Sequence, residues 1–125
     1  MAGMLYLVPT PIGNLSDISA RCRKTFEEAD FIAAEDTRVT LKLLNFLELK
    51  KPLVSYYEHN KLESGPKIVR RIQDGETCVL VSDAGSPAIS DPGEDLVRLC
   101  AEAGLTVCAI PGPCALVTAL SISGL

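Results

Sequence analysis

Short apolar runs alternate with amphipathic stretches along most of the chain. Residues 4–8, 31–34, 52–56, 77–81 and 105–110 are rich in Val, Ile, Leu, Phe and Tyr and are bounded by turn-forming residues. Runs of this length and composition predict strands, with 77–81 written as one buried on both faces of a parallel sheet and 4–8 as a buried strand. Between them, apolar positions recur every three or four residues, which predicts helices with one buried stripe. Asp17 is placed to cap a first helix whose stripe is Ile18, Cys22, Phe26 and Ala29, and a second carries Leu41, Leu44 and Leu47. Pro66 is placed to open a third, with Ile68, Val69 and Ile72 inward, Lys67, Arg70 and Arg71 outward, and Asp74-Gly75 closing it. Ser90 or Asp91 caps a fourth with Pro92 in its first turn and Leu96, Leu99, Cys100 and Ala103 on its stripe.

Strand–helix alternation with short connections predicts an α/β fold: a five-stranded, mainly parallel sheet with right-handed crossovers and helices on both faces. A last helix over residues 115–123 breaks the amphipathic rule, because Leu116, Val117, Ala119, Leu120 and Ile122 make it apolar nearly all round. Such a helix needs a cover. Residues 1–125 are therefore expected to be one α/β domain of a larger protein cut at a domain boundary, or to bury this surface in a dimer.

Composition narrows the classes. At 47% hydrophobic and 22% charged over 125 residues, the chain can build one globular core. No apolar run approaches the roughly 18–20 residues of a membrane span, and no basic-then-apolar leader opens the chain, so a cytoplasmic protein is expected. The 5 cysteines are scattered singly, without a CxxC pair, and read as reduced core thiols rather than a disulfide or zinc framework. A net charge of −4 argues mildly against a free-standing nucleic-acid binder.

The candidate chemistry sits after the fourth strand. Ser82-Asp83-Ala84-Gly85-Ser86-Pro87 puts small residues, a carboxylate and two backbone-special residues into one turn, where main chain can approach a ligand closely. In open α/β sheets ligands bind beyond the carboxyl ends of strands, and this turn lies at such an end. The second strand ends in Glu35-Asp36-Thr37-Arg38, and the third in Tyr57-Glu58-His59-Asn60-Lys61, which holds the chain's one histidine. Neither GxxxxGK[ST] nor GxGxxG occurs, which removes most support for nucleotide hydrolysis and ordinary nicotinamide binding. Gly/Pro-rich loops after strands one, four and five, with polar or acidic loops after strands two and three, suit a neutral or cationic cofactor gripped by backbone.

The blocks LYLVPTPIGNLSDIS, AAEDTR, YYEHN, VSDAGSPAISDPG and PGPCALVTALSISGL, in that order, resemble the N-terminal half of the tetrapyrrole methylase superfamily, class III S-adenosylmethionine-dependent enzymes. The likeness is to those members that methylate a cytidine 2′-hydroxyl in the decoding region of 16S RNA. It implies S-adenosylmethionine as cofactor, 16S rRNA within the 30S subunit as partner, a homodimer with no membrane association, and a second α/β domain that closes the donor cleft. Carried over block by block, it places donor contacts at Ala84, Gly85, Ser86 and Ile89, at Cys114 and Ala115, and at Ile12 in a loop that departs from the relatives' glycine-rich one.

Methylating a hydroxyl requires the sulfonium carbon in line with the oxygen at roughly 3–3.5 Å and a group to take the proton. Asp36, Asp83 and Glu35 are the candidate catalytic carboxylates; Arg38, His59, Asn60 and Asp91 are candidate substrate contacts. Plainer roles stand beside these. Asp36 with Arg38 could be a helix cap and an exposed ion pair, His59 an ordinary loop residue, Asp91 an N-cap, Lys67, Arg70 and Arg71 a solvated face, and Cys114 a packing residue. A tetrapyrrole C-methyltransferase on the same scaffold, or a non-catalytic dimerising fragment, are the rival expectations. The fragment alone is expected to be inactive.

Overall fold

A computed structural model describes residues 3–9, 18–82 and 91–110. The elements in chain order are β1 (Met4–Pro9), α1 (Ala20–Glu28), β2 (Phe31–Ala34), α2 (Thr37–Phe46), β3 (Leu53–Ser55), α3 (Lys61–Gln73), β4 (Cys78–Ser82), α4 (Asp91–Glu102) and β5 (Thr106–Ala109). The strands form one sheet in the order β3-β2-β4-β1-β5. Every pairing is parallel, with Leu5 opposite Cys78, Ile32 opposite Val79, Ile32 opposite Leu53, and Leu5 opposite Val107.

Alternation along each strand divides the core in two. Val8, Ile32, Ala34, Val79 and Val81 face a layer made by Cys22 and Phe26 of α1 and Leu43 and Leu44 of α2. Leu5, Leu7, Phe31, Ala33, Cys78 and Leu80 face the other way, toward Ile68 and Ile72 of α3 and Leu96 and Cys100 of α4. The strand order makes that split obligatory. The chain moves one way along the sheet from β1 through β2 to β3 and returns from β3 through β4 to β5, so right-handed crossovers put α1 and α2 on one face and α3 and α4 on the other. Phe26 and Ile72, both 0% exposed, are among the central side chains of the two layers.

Local chemistry sets the ends. The Ser19 side chain accepts from the Cys22 N–H at 3.1 Å, so Ser19, not Asp17, caps α1. Asp17 lies outside the described residues. On α2 the buried positions are Thr40, Leu43, Leu44 and, just beyond its end, Leu47; Leu44 and Leu47 are as expected, but Leu41 is half exposed because the stripe is rotated by a fraction of a turn toward Thr40 and Leu43. Helix α3 begins at Lys61 and runs through Pro66 instead of starting there. The reason lies in Asn60, whose carbonyl accepts from Glu63 and Ser64 N–H at 3.1 and 2.9 Å and closes the first turn upstream of the proline. Asp74 and Gly75 end α3 as expected, with Gly75 at φ 107°. Of the α4 stripe, Leu96 and Cys100 are buried and Leu99 partly so, but Ala103 is exposed. The helix expected at residues 115–123 lies outside the described residues. Cys78, Cys100 and Cys108 are free thiols, and burial pushes the Cys78 and Cys100 thiols up, the latter to about 11. Among the described residues no helix is long and apolar enough to cross a membrane.

Candidate functional site at the carboxyl edge of the sheet

Strands β1 and β4 lie side by side, and Pro9, the last residue of one, is in register with Ser82, the last of the other. From there the chain leaves β1 for α1 on one face and β4 for α4 on the opposite face. Adjacent strands whose connections part in this way form a topological switch point, the place where open α/β sheets bind ligands. The segments that follow the two strands, residues 10–17 and 83–90, contain Ile12, Asp83, Ala84, Gly85, Ser86 and Ile89; these lie outside the described residues, as do Cys114 and Ala115. Asp91 is the first residue of α4.

On the other flank of β4, Ala34 is in register with Val81, so Glu35 and Asp36 stand abreast of the β4 exit. Glu35 is half-buried in the bend. Asp36 is the N-cap of α2: its carboxylate accepts from the Arg38 N–H at 2.9 Å and from the Arg38 guanidinium at 3.3 and 3.4 Å. Those hydrogen bonds, the side-chain one foremost, hold its carboxyl below the usual range and raise Arg38. The Arg38 side chain is 89% exposed and can still turn toward a phosphate.

At the β3 exit the Asn60 amide is engaged on both sides. It accepts from the Tyr57 N–H at 2.7 Å and donates to the Ser55 carbonyl at 2.9 Å, which makes it a staple for the turn into α3. His59 is exposed, edge-on to the Tyr57 ring with centroids 6.1 Å apart. The structure thus gathers Glu35, Asp36 and Arg38 beside β4 and puts His59 and Asn60 beyond the adjacent β3. On α3, Arg71 is taken up by Glu76 at 2.8 Å and by the Phe31 ring at 3.7 Å, and Lys67 by Glu63 at 3.2 Å.

One polar cluster has no signature in the sequence. The Lys61 ammonium pairs with Asp95 of α4 and, at 3.2 Å, with Glu58, while Arg98 reaches Asp95 at 2.7 Å. These contacts raise Lys61 and lower Asp95. Beneath them Tyr56 is fully buried, and burial, followed by the charge of Asp95, pushes its phenol up to about 12. Lys61 and Asp95 are more than thirty positions apart, on helices whose contact no local spacing encodes. Among the described residues no group of three or more His, Cys, Asp or Glu is placed to hold a metal ion.

Known proteins share both sequence and fold with this chain. It is 55% identical over 123 residues to ribosomal RNA small subunit methyltransferase I of Halalkalibacterium halodurans, covering 98% of this chain and 43% of that protein. Against the protein of the same name from Escherichia coli O157:H7 the identity is 49%, over 98% of this chain and 43% of that one. The chain therefore spans under half the length of these relatives. Among solved structures, uroporphyrin-III-C-methyltransferase from Thermus thermophilus superposes with a TM-score of 0.70 at 21% identity, over 100% of this chain and 54% of that one. Diphthine synthase superposes with a TM-score of 0.70 at 16% identity, over 98% and 49%. The family model for Tetrapyrrole (Corrin/Porphyrin) Methylases matches residues 4–125. With that match across the sheet and its edge loops, the chain belongs to the tetrapyrrole methylase family.

Proposed function

We propose that this chain is the N-terminal, donor-binding part of a two-domain, S-adenosylmethionine-dependent enzyme that methylates ribosomal RNA. The acceptor in this reading is the 2′-hydroxyl of a cytidine in the decoding region of 16S rRNA within the 30S subunit, and the enzyme is a cytoplasmic homodimer. The observation that carries it is the switch point between β1 and β4, each followed in the sequence by a Gly/Pro-containing segment, in a chain about half identical to relatives named for small-subunit rRNA methylation. The rival acceptor is a tetrapyrrole; likeness in fold does not choose between acceptors, since uroporphyrin-III-C-methyltransferase and diphthine synthase superpose equally well.

The site's chemistry agrees with a cationic donor. Glu35 stands at the β4 exit, and Asp36 beside it is held ionised by Arg38. Acidic neighbours favour a sulfonium and disfavour a free phosphate at that point. The donor, when bound, supplies an electrophilic methyl group. Around it, the backbone of Ala84, Gly85 and Ser86, with Ile89, Ile12, Cys114 and Ala115, would hold the methionine and adenosine portions and keep water out. Asp36, clamped by its cap and guanidinium contacts, is better suited to positioning than to accepting a proton. Glu35 meets no cation within ion-pair distance among the described residues and, with Asp83, suits taking the hydroxyl proton as the new C–O bond forms. Arg38 and His59 face solvent where they could meet RNA phosphate, Asn60 shapes the same loop, and Asp91 heads α4.

The test is methyl turnover by the full-length protein with 30S particles and, separately, with a uroporphyrinogen. Label in a cytidine 2′-O-methyl nucleoside is the expected result, with residues 1–125 alone inactive because half the cleft is missing. Transfer to the tetrapyrrole and none to RNA would overturn the proposal.

A further inference from the structure

A hollow lies between the N-terminal half of α3 and the middle of α4. It encloses about 360 Å³ and is walled by Leu62, Pro66 and Leu99 on its apolar side, with Lys61, Asp95 and Arg98 along its polar rim. That volume is within the range of roughly 300–1,000 Å³ typical of small-molecule sites. Its wall also includes Tyr56, which is 0% exposed and whose hydroxyl has no hydrogen-bond partner among the described residues. Buried hydroxyls are almost always satisfied, so this one needs an incoming partner. Gly65 lets Leu99 pack close to α3: a Cβ there would lie 2.8 Å from Leu99 Cδ1, while Tyr56 would stay in ordinary contact, its hydroxyl at 3.9 Å.

The rim's charges cancel. Lys61 and Arg98 are matched by Glu58 and Asp95, so a free anion gains little there. What the rim offers is a hydrogen-bonding edge: donors on Tyr56 and Arg98, and spare lone pairs on Asp95. A flat neutral body with acceptors and donors along one side fits that edge and the aliphatic wall together. Leu62, 89% exposed at the mouth, is a large apolar side chain held in solvent where such a body would enter. We propose that this hollow is a nucleobase-binding site that holds one unstacked base of the RNA substrate outside the methyl-transfer centre. Recognition of a splayed-out base by its hydrogen-bonding edge, with an arginine plane at its side, is a usual mode for single-stranded RNA. The proposal rests on the RNA reading above.

Two measurements on the full-length protein decide it. In the first, the four ribonucleosides and inorganic phosphate are titrated separately against isotopically labelled protein. Nucleosides are expected to shift the signals of Tyr56, Leu62 and Leu99, phosphate to leave them unmoved, and Tyr56→Phe to weaken the nucleoside response without lowering the melting temperature. No nucleoside response, or an equal one to phosphate, overturns the proposal. In the second, Leu62→Ala, a change at an exposed position, is expected to raise KM for 30S particles roughly fivefold with kcat nearly unchanged, the mark of lost uniform binding. An unchanged KM in an active enzyme overturns the proposal and leaves the methyltransferase reading standing. Absence of RNA methylation by the wild type would count against that reading instead, and the nucleoside titration would still decide the hollow.

Discussion

Asp36 combines two duties in one carboxylate: it caps α2 through the Arg38 N–H and pairs with the Arg38 guanidinium. Spacing in the sequence is enough to suggest both, because a cap and its residue two places on are local. The rotation of the α2 stripe is less local, since Leu41 and Leu43 differ only in which neighbours the sheet supplies. The lowered carboxyl of Asp36 has a pH consequence. Its folded value lies below its unfolded one, so its stabilisation is present above the unfolded pKa and disappears as pH falls through the folded pKa. Asp36→Asn should keep part of the cap, lose that acid-side dependence, and flatten the stability profile below about pH 4, as read by circular dichroism across a pH series. Glu48 offers the opposite case. It follows the end of α2 at φ 59°, a left-handed conformation that costs a side-chain-bearing residue roughly 1–2 kcal/mol. Glu48→Gly should therefore stabilise by up to about 1 kcal/mol, because glycine gives back part of that in unfolded-chain entropy; a urea midpoint that falls would contradict it.

At the scale of elements, four of the five expected strands match to within a residue or two at each end, and β2 occupies residues 31–34 as expected. The central strands are legible because both faces must be apolar, and the edge strands β3 and β5, only partly buried, are legible as short runs between turn residues. Helix starts were less so. Pro66 carries the composition of a first helical turn, yet the stapled Asn60 turn begins α3 upstream of it, and that staple depends on the Ser55 carbonyl position at the end of β3. A close approach between β1 and the α3–β4 turn was not legible at all. The Gly3 N–H donates to the Ile72 carbonyl at 2.7 Å, and a Cβ on Gly3 would sit 1.8 Å from the Glu76 carbonyl oxygen. Because that atom is backbone and cannot swing away, Gly3→Ala should cost about 1–3 kcal/mol, the usual range for overpacking. Chemical denaturation would show it, and an unchanged midpoint would mean that the start of β1 yields freely.

For the whole molecule, the decisive feature is strand order. The sequence's periodicity shows that strands and helices alternate, but not that β4 inserts between β1 and β2; that comes from pairing across the sheet, which is non-local. The insertion brings the β1 and β4 exits together and sends their chains to α1 and α4 on opposite faces, so two Gly/Pro-rich segments far apart in sequence start side by side. It also brings Glu35 and Asp36 alongside, whereas the Lys61–Asp95 cluster and the hollow beside it belong to helix packing on one face. Loop composition was thus readable one segment at a time, and the site as an assembly was not. Under the proposed RNA reading, a net charge of −4 leaves affinity to discrete contacts rather than to a basic surface, in a chain that spans under half the length of its relatives. The central claim is that the methyl donor sits where β1 and β4 part. Photolabelling the full-length protein with S-adenosylmethionine carrying a radioactive methyl group, followed by peptide mapping, tests it most directly. Label concentrated in the peptide containing residues 83–90, and competed away by unlabelled donor, is the predicted result. Competable label confined to the α3–α4 face, with none at the β1 and β4 exits, would contradict it.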